Sequence, residues 1–300
     1  MFTASIENVK GDILTLTGNE TNYQIISITG LNPPNAQINM STIAGMDGAK
    51  YNSSKLETRQ IVINLKINGD VENNRQNLYK YFPTKEWCKF YFENANRNVF
   101  IEGYAQTFEV DLFAQQQISQ IVIDCPQPYF KDMETIIDDI SKVIAAFEFP
   151  FAFGSTGATN PDVPIIVGSD DAIPFSLIEA NRITDIYNNS SAETGLIIEI
   201  DVYDNVNTIE LRNTQTGETL TLDYSFIAED QITINTNKGE KSITLLRNGV
   251  SYNLFTALQT GSTFFQLAVG DNFFSYTADD GTSDSFINIV FKHNTVYRGV

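Results

Sequence analysis

Apolar and polar residues alternate with a period of two through much of the first 125 positions, the pattern of strands with one buried face. Between 117 and 124, Ile118, Gln120, Val122 and Asp124 fall on one side and Ser119, Ile121 and Ile123 on the other. Segments 13–16, 23–28, 61–67, 89–92 and 100–110 are similarly rich in Ile, Val, Phe, Tyr and Thr and predict further strands. The period turns helical between 71 and 82, where Val71, Leu78 and Phe82 share a face. Asn68-Gly69-Asp70 supplies a turn in front of that helix and Pro83 stops it. Cys125-Pro126-Gln127-Pro128-Tyr129-Phe130 then ends a strand, because neither proline can donate to a ladder and each biases its predecessor toward extended backbone. The segment reads as a rigid corner. Beyond it Ile136, Ile137, Ile140, Val143, Ile144 and Phe147 recur at helical spacing, predicting a second helix over 132–147 with Asp132 as N-cap and Glu134 in its first turn.

The second half reads differently. Pro150, Pro161, Pro164 and Pro174 with Gly154, Gly157 and Gly168 block long regular elements, although Phe149, Phe151 and Phe153 alternate and Ile165-Ile166-Val167 is β-rich. From 175 onward strand patterns at 182–187, 195–202, 208–211, 219–222, 231–235, 242–246, 263–267, 273–276 and 286–291 follow one another. Many are separated by turn groups such as Thr216-Gly217-Glu218, Asn237-Lys238-Gly239, Asn248-Gly249 and Asp280-Gly281. That spacing predicts a jelly-roll type β-sandwich. The expected organisation is mainly β: an N-terminal β-rich domain over 1–148 with one or two short helices, a linker and entry strand over 149–174, and a sandwich over 175–300.

One stretch fits neither pattern. Residues 30–58 carry Pro33-Pro34, Gly45 and Gly48 and little regular period, yet Leu31, Ile38, Met40, Ile43 and Met46 are too apolar for a solvated loop. They predict an extended arm or hairpin that finds its partner surface in another chain.

Charge narrows the function classes. With 37 Asp and Glu against 19 Lys and Arg, the chain has a formal net charge of -18, and the cation clusters that bind phosphates are missing. Cys88 and Cys125 are too few for a disulfide framework and are expected to be reduced and buried. The N-terminus lacks a secretory pattern, and no apolar run approaches the roughly 20 residues of a membrane span. A soluble protein of cytoplasmic origin is expected.

Candidate chemistry is sparse. His293 is the single histidine, stands outside any motif, and is expected at the surface or at a strand end. No zinc-ligand spacing exists. Asn237-Lys238-Gly239-Glu240-Lys241-Ser242 lacks the order of a phosphate loop and reads as a hairpin turn between Ile232 and Ile243. Asp279-Asp280-Gly281-Thr282-Ser283-Asp284 lacks EF-hand spacing and reads as a solvated turn. Phe outnumbers Tyr and Trp together, 21 against 14, which favours core filling, and the lone Trp87 is expected in the core. No catalytic, cofactor-binding or metal-ligating residue is predicted.

An ordered set of motifs spans residues 25–130. Gly45-Met46-Asp47-Gly48 is followed by Tyr51 and Ser54, then by Arg59 at the head of a strand, then by Gly69-Asp70 and Arg75 at the short helix. Cys88 and Phe90, Ile101-Glu102-Gly103-Tyr104, and Cys125-Pro126-Gln127-Pro128-Tyr129-Phe130 complete it. This series resembles the distal tail protein (Dit) family of long-tailed, siphovirus-type bacteriophages. In the second half, residues 214–220, 232–235 and 262–267 with Gly270-Asp271-Asn272 resemble the family's galectin-like sandwich. Asn188-Asn189-Ser190-Ser191-Ala192 departs from the Gly-Asp turn expected there.

The resemblance implies a non-enzymatic virion protein with no cofactor. Such proteins form a homohexameric ring whose N-terminal belt domains close around a channel, between the tail tube protein and the hub, lysin or fibre protein. The C-terminal domains project outward and carry receptor-binding or baseplate parts. The place implied is the distal end of the virion tail, assembled in the host cytoplasm, with DNA passing through the lumen unbound and no membrane insertion. Two other classes stay open on sequence alone: a carbohydrate-binding module for host cell-wall glycans, and a glycoside hydrolase with two close carboxylates.

Overall fold

The computed structural model describes residues 2–18, 21–139, 183–278 and 287–300, together with the backbone of 141–144 and 177–180. In the first half the chain forms β1 (Thr3–Glu7), β2 (Ile13–Thr15), β3 (Tyr23–Thr29), β4 (Ala36–Ser41), β5 (Lys50–Leu56), β6 (Arg59–Ile67), α1 (Val71–Tyr81), β7 (Trp87–Glu93), β8 (Asn98–Val110) and β9 (Ile118–Cys125). Next come β10 (Phe130–Asp139), β11 (Ser141–Ile144), β12 (Leu177–Ala180), β13 (Ile183–Asn188), β14 (Ile197–Val202), β15 (Val206–Asn213) and β16 (Thr219–Phe226). The last are β17 (Gln231–Asn235), β18 (Ser242–Arg247), β19 (Val250–Asn253), β20 (Gly270–Ala278) and β21 (Ile287–Tyr297).

Period-two patterning sets the first core. In β6, Ile61, Ile63, Leu65 and Ile67 point inward between β3 and β9, and the antiparallel ladder continues through β8, β7, β1 and β2. Phe90 and Phe92 stack with centroids 6.4 Å apart, and Phe130 meets Phe92 edge-on at 5.8 Å. Each such buried side chain contributes roughly 1.5–3 kcal/mol by leaving water. α1 closes this core with Leu78 and the following Phe82; Asp70 caps it by accepting from the Asn73 amide at 3.3 Å.

The second core lies between two sheets, β19-β18-β17-β14-β21 and β13-β20-β15-β16, and is filled by Ile198, Ile200, Leu211, Leu222, Phe274 and Phe291 among others. The β18–β19 hairpin turns at Asn248 and Gly249, both at positive φ (53° and 75°), the conformation that matches the twist of a two-residue hairpin.

β21 joins the two cores. Residues 287–292 pair with β14 and residues 290–297 with β10, which in turn pairs with β8, so one 13-stranded sheet runs through both halves. Tyr297 and Val300 pack against the first core.

Five expectations are corrected. Residues 130–139 form β10, not a helix, and Ser141–Ile144 forms β11; the remainder of the predicted helix falls outside the described residues. β10 is held by a partner strand more than 150 residues downstream, and its β-branched Thr135, Ile136 and Ile137 suit a ladder as well as a helix. Asp132 does not cap a helix: its carboxylate accepts from the Glu134 amide at 3.0 Å and the Tyr297 hydroxyl at 2.9 Å. His293 is buried, 2% exposed, because β21 continues past it to Tyr297. Trp87 is 39% exposed, because the inward position at the start of β7 belongs to Cys88. Residues 263–266 carry no strand, and Leu267 makes an isolated bridge to Thr194. The predicted linker over 149–174 and the turn over 279–284 lie outside the described residues.

Candidate assembly interface

The irregular stretch after β3 folds into the hairpin β4–β5, whose strands, among the described residues, pair only with each other. Every residue from Gln37 to Lys55 is exposed, including Ile38 at 55%, Met40 at 58% and Met46 at 66%. An isolated two-stranded hairpin in water is marginal. Gly45 and Gly48 hold positive φ (84° and 91°) at the tip with Asp47 between them, and on β5 the hydroxyls of Tyr51 and Ser54 lie 2.8 Å apart. Ile38, Met40, Ile43 and Met46 thus share one protruding arm, whereas Leu31 sits at its root, half-buried against the first core.

The root is built around Arg59. This side chain is 3% exposed and bonds to four backbone carbonyls. Nε donates to Pro128 at 2.8 Å, Nη1 to Asn32 at 2.6 Å and to Gly30, and Nη2 to Arg298 at 2.6 Å. Its guanidinium lies 4.4 Å from the centre of the Phe130 ring. Burial lowers the Arg59 pKa, with the neighbouring Cys125 opposing. One planar fork thereby ties the arm's start, the proline corner and the C-terminal tail together. The tail is held twice more, by the Val300 amide donating to Leu31 O at 3.2 Å and by Arg97 donating to Gly299 O.

Other motif positions support this frame. A Cβ on Gly103 would fall 2.8 Å from both Cys125 Sγ and Ile123 Cγ2, so glycine is what lets β8 lie this close to β9. Burial pushes the thiols of Cys88 and Cys125 up to about 12, which leaves them as packing groups rather than nucleophiles. Gly69 takes φ 70° before the Asp70 cap, and Arg75 pairs with Glu72 along α1 at 2.5 Å. At the corner Pro126 is exposed, Pro128 and Tyr129 are half-buried and Phe130 is fully buried; Tyr104 is exposed opposite Trp87. The structure therefore groups Arg59, Gly103, Cys125, Pro128 and Phe130 around the root, and Gly45 to Ser54 along the arm. α1 with Gly69, Asp70 and Arg75 stands apart. The roles of Arg97, Arg298 and Val300 carry no local signal in the sequence, since their partners lie far along the chain.

Two family models match the chain: a phage tail protein RIFT-related domain over residues 12–125 and a siphovirus-type tail component, C-terminal domain, over residues 189–294. Together they cover well over half of it, in the order the two cores require. The chain belongs to the siphovirus-type distal tail protein family. Solved structures share the fold of this distal tail protein. The Dit protein of phage SPP1, described as a paradigm of the hub adsorption apparatus in phages infecting Gram-positive bacteria, aligns with a TM-score of 0.66 at 13% identity, covering 98% of this chain and 99% of that one. A component of the phage p2 baseplate in its activated conformation with strontium aligns at TM-score 0.58 and 13% identity, covering 98% of both chains. Its calcium counterpart aligns at 0.55 and 12%, again covering 98% of both. No curated protein sequence matches. The distal tail protein is a structural component of the phage tail at its baseplate hub.

Proposed function

We propose that this distal tail protein closes a homohexameric ring, with the first module as the belt around the channel and the β4–β5 arm reaching onto the neighbouring subunit. The observation that carries the reading is the arm itself: Ile38, Met40, Ile43 and Met46 stand in solvent on a hairpin that pairs with no other strand among the described residues. Covering them in a neighbour contributes roughly 1.5–3 kcal/mol per side chain. A contact between an arm and a different surface is heterologous, and repeated by rotation it closes into a ring.

The ring joins the tail tube protein on one face to the hub, lysin or fibre protein on the other, while the sandwich, galectin-like by family resemblance, faces outward toward receptor-binding parts. Net acidity suits a conduit for DNA, because a cationic lining would hold phosphates and an acidic one lets the duplex pass. Negative-stain imaging of the purified protein, alone and with its hub protein, tests the reading. Six-fold rings with a central hole are expected; particles that remain single subunits under both conditions overturn it.

A further inference from the structure

Trp87 and Tyr104 are opposite partners in the β7–β8 ladder, and both turn outward, 39% and 49% exposed. Beside them a cleft of about 390 Å³ opens between the first module and the Lys238-Gly239-Glu240 turn of the sandwich. Tyr129, Glu102, Lys131 and Glu240 complete its walls, and Gln127 ties the proline corner to the turn by donating to Lys238 O at 3.0 Å. The volume falls in the range of small-ligand sites, roughly 300–1,000 Å³.

We propose that this cleft binds a neutral oligosaccharide. A sugar ring presents an apolar face of C–H groups that lies on an aromatic ring and a rim of hydroxyls that needs donors and acceptors. The walls supply both. Trp87 and Tyr104 give adjacent exposed rings, and among the described residues the Trp87 indole N–H, the Tyr104 and Tyr129 hydroxyls and the Glu240 carboxylate hold no hydrogen-bond partner. Lys131 pairs with Glu102 at 3.7 Å and Lys238 pairs with Glu193 outside the cleft, which leaves the Glu240 carboxylate as an acceptor for hydroxyls and disfavours an anionic ligand. A peptide added as a strand is disfavoured, because β7 is paired by β1 and β8, β8 by β7, β9 and β10, and β10 by β8 and β21. The cleft lies outside the interior of the sandwich, and none of its lining residues belongs to the arm.

Trp87 is the only tryptophan in the chain, so intrinsic tryptophan fluorescence reads this cleft alone. The intact protein is screened on an array of neutral hexose and N-acetylhexosamine oligomers, and the best trimer is titrated in solution against fluorescence. A saturable shift is expected, weakened roughly tenfold by Tyr104→Ala, with the melting temperature of the variant unchanged. Glu240→Gln keeps the fold and weakens binding severalfold. No array signal, a linear fluorescence change, or equal affinity in Tyr104→Ala overturns the proposal. So does a Trp87 shift produced by the hub protein and by no sugar, which would make the cleft a protein contact.

Discussion

The arm and its root are separated by two residues in sequence and by opposite physical chemistry. Along the arm, apolar side chains face water and the strands, among the described residues, pair only with each other. At the root a buried guanidinium serves four carbonyls drawn from three distant parts of the chain. A single chain satisfies the donors of its root and leaves the apolar side chains of its arm in solvent. Under the proposed ring the difference separates residues that make the fold from residues that join subunits, and substitutions in the two places should therefore fail in different ways.

The largest effect is expected at the root. Arg59→Ala removes the donors of several buried carbonyls at about 1 kcal/mol or more each, and should destabilise the protein by about 3–5 kcal/mol in a denaturant titration. A loss below 1 kcal/mol would mean that water replaces the guanidinium and that the root is not the joint described. Gly103→Ala comes next. Its new methyl meets Cys125 Sγ and Ile123 Cγ2 at 2.8 Å, and the overpacking should cost about 1–3 kcal/mol, partly recovered by adding Cys125→Ala.

A smaller, pH-dependent effect belongs to the seam between the cores. Burial holds the imidazole of His293 below its ordinary value, with the Asp138 carboxylate and the Tyr187 backbone opposing. The unfolded chain therefore takes up its proton first, and the stability His293 contributes is complete above about pH 6.5 and lost as pH falls toward the depressed folded value. Asp138 acts in the opposite direction: burial raises its pKa, His293 lowers it and Asp185 raises it. The comparison that isolates the histidine is wild type against His293→Leu, each measured between pH 7 and 5. The difference in stability should move in favour of the leucine variant as pH falls, and a pH-independent difference would show that the imidazole is not desolvated.

Much of this was legible in the residues. Alternation identified β6 and β9, Asp70 and Pro83 bounded α1, Asn248-Gly249 marked a hairpin, and the arm declared itself by being apolar without a period. What stayed hidden depends on partners far along the chain. β10 passed for a helix because Ile136 and Ile137 satisfy both periods until β21 is laid beside them. Arg59 could be marked by family motif, but its bond to Arg298 spans 239 residues and nothing near either end announces it. Trp87 was misplaced because composition says what aromatic residues usually do, not which side of a strand one occupies.

The central claim is that the arm is an assembly element and not part of the fold. The most direct test measures the mass of the native protein beside that of the triple variant Ile38→Ser, Met40→Ser, Met46→Ser, with thermal unfolding of both. The account predicts a ring near six subunits for the native chain, single subunits for the variant, and stabilities of the unassembled chains within about 0.5 kcal/mol of each other. A variant that still forms the ring, or one that loses its fold along with its ring, would contradict it.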